Sequence, residues 1–161
     1  MSFDDYIARE IKCSRRIQSH LSIILITSLK LKDNMSIIPQ IEISNIEKIF
    51  SNVAQKSRNF LRTTDTVVMS KFYEIIIVLP FTDESGARKI CEKIKGKIFK
   101  EVMEINADLH QYITPVFVTF PNEGENFHNL IENAFRKLTD KGTIKKISSI
   151  VPVNNQFQRW K

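Results

Sequence analysis

The chain has 161 residues, with enough apolar content to bury the core of one domain. Twenty-four Lys and Arg against 18 Asp and Glu give a formal charge of +6, which favours anionic partners: nucleotides, nucleic acids or acidic protein surfaces. Asp4, Asp5, Arg9 and Glu10 exclude a secretory leader, the run Leu21 to Leu29 is too short for a bilayer, and Cys13 and Cys91 give neither a metal spacing nor a disulfide framework, so a soluble cytoplasmic protein is expected.

Phe3 to Gln18 carries Phe3, Tyr6, Ile7, Ile11 and Ile17 near helical spacing, with Arg9, Lys12, Arg15 and Arg16 between them. The apolar run from Leu21 reads as a buried strand. Ser44 and Glu47 form a capping box for a helix whose apolar face is Ile46, Ile49, Phe50, Val53, Phe60 and Leu61. Thr66 to Met69 and Glu74 to Leu79 read as a hairpin with its tip near Lys71 to Tyr73, and Pro80 ends its second strand. Asp83 or Thr82 caps the next helix, striped by Ala87, Ile90, Cys91, Ile94 and Ile98. On such a stripe the Cys91 thiol acts as a small hydrophobe.

Tyr112 to Phe120 reads as a further strand. Pro115 within it requires an edge position or a bulge. A turn at Pro121 to Gly124 follows, then a helix capped by Asn126, with Leu130, Ile131, Ala134 and Leu138 inward and Gly142 at its end. Ile144 to Val153 is expected to add a short strand. Residues 1–150 are thus expected to form one domain, and 151–161 a polar tail carrying the single Trp, Trp160. His20, His110 and His128 have no metal spacing and read as surface residues. The order of elements predicts an α/β (α+β sandwich) fold: a ferredoxin-like βαββαβ core with an extra N-terminal helix, its mostly antiparallel central sheet flanked by helices.

Several stretches resemble the GGDEF domains of the diguanylate cyclase family in order and spacing. Glu10 to Arg16 followed by Leu21 to Leu25 resembles the family's leading helix and first strand. Arg62-Thr-Thr-Asp65, five residues, Lys71-Phe72-Tyr73-Glu74-Ile75 and a strand ending Leu79-Pro80 match, without a gap, the family's Arg-x-x-Asp, its Gly-Gly-Asp/Glu-Glu-Phe signature and the strand after it. Thr82 to Ala87 with Glu92-Lys-Ile, then Thr119-Phe-Pro, then Asn126 to Gly142 continue the likeness, which covers roughly residues 3 to 142.

The resemblance also implies where function has changed. Lys71 and Phe72 stand where paired glycines let the hairpin approach a nucleotide, and Tyr73 replaces a metal-holding acid. Thr27, Ser28 and Leu29 stand where the first strand supplies further metal carboxylates, and only Glu74 of the signature survives. Two-metal phosphoryl chemistry needs anionic oxygens there. Asp33 and Asn34 fit the family pattern poorly as substitutes. The resemblance therefore implies a degenerate, non-enzymatic member with no cofactor and no metal.

Arg62 and Asp65 match the family's inhibitory site for cyclic di-GMP. A guanidinium fork bonds a guanine O6/N7 edge or a phosphate, and a carboxylate accepts from guanine N1–H and N2–H. Lys93, with Arg88 and Lys89 on the same helix, is expected to add positive charge. The bland alternative is an ordinary i, i+3 ion pair at a helix end. Phe72 and Tyr73 read either as a partner-binding tip or as filler of the vacated cleft. The expected function is a cyclic di-GMP receptor that signals to a protein partner, and the competing one a nucleotide-independent interaction module. RNA binding is disfavoured because RNP-like aromatic strands are lacking, so no DNA or RNA partner is expected.

Overall fold

The computed structural model of the chain describes residues 2–27, 43–70, 74–105, 113–140 and 157–160. Helix α1 (Phe3–Arg16) leads into strand β1 (Leu21–Ile26); α2 (Ile43–Ser57) runs into a short 3-10 turn at Arg58–Phe60. Strands β2 (Thr66–Ser70) and β3 (Ile75–Pro80) follow, then α3 (Glu84–Met103), β4 (Pro115–Phe120), α4 (Phe127–Asp140) and β5 (Phe157–Trp160). The strands form a single sheet in the order β4-β1-β3-β2-β5, and every neighbouring pair is antiparallel.

The first four strands carry the ferredoxin-like order expected from the sequence. β1 is central, with Ile26 opposite Ile75 on one side and Pro115 on the other. Its apolar run, interrupted by Ser22, follows from helices covering both faces of the sheet. The two-residue period then sorts side chains between two cores. Ile24, Ile26, Val67, Ile75, Ile77 and Leu79 face α2 and α3, where Ile49, Phe50, Val53, Ala87, Ile94 and Ile98 meet them. Leu21, Ile23, Leu25, Ile76, Val78, Val116 and Val118 face Tyr6, Ile7 and Ile11 of α1 and Leu130, Ile131 and Ala134 of α4. Each fully buried Ile, Leu or Val stabilises this arrangement by roughly 1.5–3 kcal/mol relative to exposure.

The helix starts follow local chemistry. Ser2 Oγ accepts from the Asp5 amide at 3.1 Å, Asp83 Oδ1 from Gly86 at 2.9 Å and Asn126 Oδ1 from Asn129 at 2.9 Å. Pro115 is the first residue of edge strand β4, where its missing N–H costs no ladder bond.

Some expectations are corrected. α2 begins at Ile43, so Ser44 sits inside its first turn and not ahead of it. Phe60 and Leu61 belong to the 3-10 turn and the bend after it, still packed against the core. Ile17 lies past the end of α1 and is exposed. The strand expected from Tyr112 starts at Pro115. Part of the segment expected as a polar tail, Phe157–Trp160, is a strand paired with β2. The expected strand at 144–153, the hairpin tip Lys71 to Tyr73, Gly142 and His110 lie outside the described residues. No described helix is long and apolar enough to cross a membrane.

Candidate functional site

The 3-10 turn that follows α2 carries the chain into the tight bend before β2. Asp65 N donates to the Arg62 carbonyl at 3.0 Å, while Arg62 N donates back to Asp65 Oδ2 at 2.8 Å. The Asp65 side chain is wholly buried. A carboxylate out of water requires a partner, and the Arg62 guanidinium supplies one: Nη2 lies 3.1 Å from Oδ1. Arg58 Nη1 donates to the Asp65 carbonyl at 2.8 Å, fixing the same bend from one helical turn upstream.

Arg62 also reaches across to the end of β3. Nη2 donates to the Pro80 carbonyl and, at 2.7 Å, to Thr82 Oγ1. Thr82 Oγ1 itself donates to the Pro80 carbonyl at 3.1 Å, and Ser22 Oγ of β1 donates to the Thr82 carbonyl at 2.8 Å. One guanidinium thus clasps the entry to β2 and the exit from β3. Its side chain remains 51% exposed, and Nη1 has no partner among the described residues.

The expected basic residues of α3 divide between two sides of that helix. Lys93 Nζ sits 5.8 Å from the centroid of the Phe60 ring, on the side of the Arg62 bend. Lys89 is exposed and lies one turn earlier on the same side. Arg88 turns away: it pairs with Glu84 at 2.7 Å and lies 5.5 Å from the centroid of Phe117 on β4. Five helical residues separate Arg88 from Lys93 by about 140°, which sets them on different sides of α3.

The region matching the family's catalytic end is described in part. Ile26 and Ile75 are partners, so Thr27 and Glu74 lie together at that end of β1 and β3, and both are buried. No group of three His, Cys, Asp or Glu suited to a metal occurs among the described residues. His128 is exposed and His20 half-buried, and Cys91 is buried on its stripe. Sequence reasoning missed Arg58, although its place one helical turn before Arg62 was a usable signal.

No family model matches the sequence, and no curated protein matches it. Solved structures do. The isolated GGDEF domain of TpbB (YfiN) from Pseudomonas aeruginosa superimposes with a TM-score of 0.65 at 17% identity, over 86% of this chain and 80% of that one. The fold is that of GGDEF domains. A sensory box/GGDEF family protein from Caulobacter crescentus gives a TM-score of 0.59 at 14% identity, covering 85% of this chain and 87% of its own. An EAL/GGDEF domain protein from M. capsulatus gives 0.54 at 16%, covering 88% and 90%. Within this fold the Arg62 bend leads into β2, and Thr27 directly follows the last residue of β1.

Proposed function

We propose that this GGDEF-fold domain is a non-catalytic signalling module that binds cyclic di-GMP beside Arg62 and passes the bound state to a protein partner. The observation that carries the reading is the Arg62 guanidinium, held rigidly on one edge and open to solvent on the other. Preorganisation of this kind lowers the cost of binding, since the side chain is already ordered before the ligand arrives. Lys93 and Lys89 add charge on the adjoining face for a ligand with two phosphates. Asp65 takes a different part from the one its sequence match implies: its buried carboxylate anchors Arg62 instead of contacting guanine. Replacement of the signature by Lys71-Phe72-Tyr73-Glu74 supports the absence of cyclase activity.

One observation favours a second reading, a nucleotide-independent interaction module. The bonds from Arg62 to Asp65, Pro80 and Thr82 suffice to explain this arginine as a structural clasp. Isothermal titration with cyclic di-GMP separates the two. The receptor reading expects micromolar or tighter binding, at least ~10-fold weaker in Arg62→Ala and in Lys93→Glu, the second of which leaves the clasp intact. It also expects no cyclic di-GMP from GTP and Mg²⁺. Absence of heat at millimolar ligand in the wild-type protein assigns Arg62 to structure alone and leaves the interaction module.

A further inference from the structure

Phe81 stands between the two residues that Arg62 grips, and its backbone is strained. Its φ is +55°, a region that L-residues with bulky side chains avoid because Cβ crowds the backbone. The ring is 49% exposed, and none of the ring–ring or cation–ring contacts among the described residues involves it. Neither core packing nor a local aromatic contact accounts for an aromatic residue in this position. Asp, Asn or Gly would adopt the same turn at lower cost and leave less apolar surface in water.

The surrounding structure holds the strain in place. Pro80 accepts from Arg62 Nη2 and from Thr82 Oγ1. Thr82 Oγ1 accepts from the same Nη2, and the Thr82 carbonyl accepts from Ser22 Oγ. Asp83 then caps α3. A Cβ at Gly86 would lie 2.9 Å from Thr82 Cγ2, so the first turn of α3 fits closely against this bend. Strained, over-determined positions of this kind mark sites where a side chain is displayed for use.

We infer that Phe81 is a stacking platform for a planar base and that, with the open Nη1 edge of Arg62, it forms the base-reading part of the ligand site. This rests on the reading of the domain as a cyclic di-GMP receptor and names how one guanine is held. Nη1, the donor that Asp65, Pro80 and Thr82 leave open, donates to an acceptor on the O6/N7 edge of the base while the ring of Phe81 covers its face. The buried Asp65 carboxylate is withheld from the guanine N1–H and N2–H donors. Stacking on Phe81 therefore supplies affinity that a direct carboxylate contact does not.

The test is titration of Phe81→Gly, Phe81→Leu and Phe81→Trp with cyclic di-GMP beside the wild type and Arg62→Ala. Loss of stacking in the Gly and Leu variants is expected to weaken binding roughly 5- to 100-fold. The melting temperature of Phe81→Gly should be no lower than that of wild type, because glycine adopts the positive φ freely. Phe81→Trp should bind and show ligand-dependent quenching beyond that of wild type, whose single Trp is Trp160. If Phe81→Gly and Phe81→Leu bind within twofold of wild type while Arg62→Ala does not, the platform is refuted and the receptor reading stands. A fall in melting temperature in Phe81→Gly would refute it too, by making Phe81 a packing residue. If wild type gives no heat, the receptor reading itself fails, and the platform with it.

Discussion

Asp65 shows how far one residue's role depends on its surroundings. In the sequence it is the acidic half of an i, i+3 pair, and that spacing alone makes the contact with Arg62 legible. Its complete burial was not legible, nor was the reach of Arg62 to Pro80 and Thr82, 18 and 20 residues away, because neither follows from local spacing. Burial decides what the carboxylate does: it satisfies the Arg62 amide and guanidinium inside the protein. Asp65→Ala leaves that amide without its acceptor and the guanidinium without its anchor. With Arg62 half-exposed and able to regain water, the expected cost is about 1–3 kcal/mol. A urea midpoint lower than wild type with an unchanged m-value would register it. An unchanged midpoint would show that Asp65 does not hold the bend.

At the scale of elements, α2 and α3 are joined by a polar contact that no sequence pattern announces. Glu101 is buried on α3 and accepts from Asn52 Nδ2 at 2.9 Å and from Lys56 Nζ, both on α2. Burial pushes the Glu101 carboxyl upward, but hydrogen bonds from Lys56 and Asn52 and the charges of Lys56 and Lys48 outweigh it and hold it below the usual carboxylate value. Lys56 is raised in turn, chiefly by its bond to Glu101. A carboxyl depressed in the folded state contributes stability that is full above its unfolded value and lost as pH falls through the folded one. Thermal melts should therefore lose stability on acidification through and below the ordinary carboxylate range, and Glu101→Gln should flatten part of that limb. Equal acid limbs in the two proteins would exclude Glu101 as a contributor. β4 carries a comparable local device. Lys137 Nζ donates to the Phe117 carbonyl, Glu123 Oε1 accepts from the Thr119 amide at 3.1 Å, and the two side chains pair at 2.6 Å. Backbone groups on an open sheet edge are thereby occupied by an ion pair, which discourages pairing with another strand. Pro115 had left an edge position or a bulge open for this strand, and the structure shows the edge; the Lys137–Glu123 plug joins residues 14 apart and left no mark in the sequence.

At the scale of the molecule, the sheet was readable because its strands alternate two apolar faces and the helices between them show one stripe each. Ile75 to Leu79 divides residue by residue between the two cores, and Ala87, Cys91, Ile94 and Ile98 supply a complementary helical face. What pattern could not supply was the far edge. Phe157-Gln-Arg-Trp160 is too short and too polar to read as a strand, yet it extends the sheet beyond β2, with Val67 opposite Trp160 and Ser70 opposite Phe157. Its pairing comes from backbone groups of β2 that would otherwise face water or another chain, a driving force without a side-chain signature. β2 also leads out of the bend that Arg62 clasps, so its outer edge and the candidate site share one strand. Removing residues 157–161 should therefore lower amide protection along β2, leave β1 and β4 protected, and raise exchange in the 62–65 bend. Hydrogen exchange with fragment-level resolution measures this directly. If protection of β2 is the same with and without the segment, β5 adds nothing to the sheet in solution, and the stability of the Arg62 bend rests on its own hydrogen bonds alone.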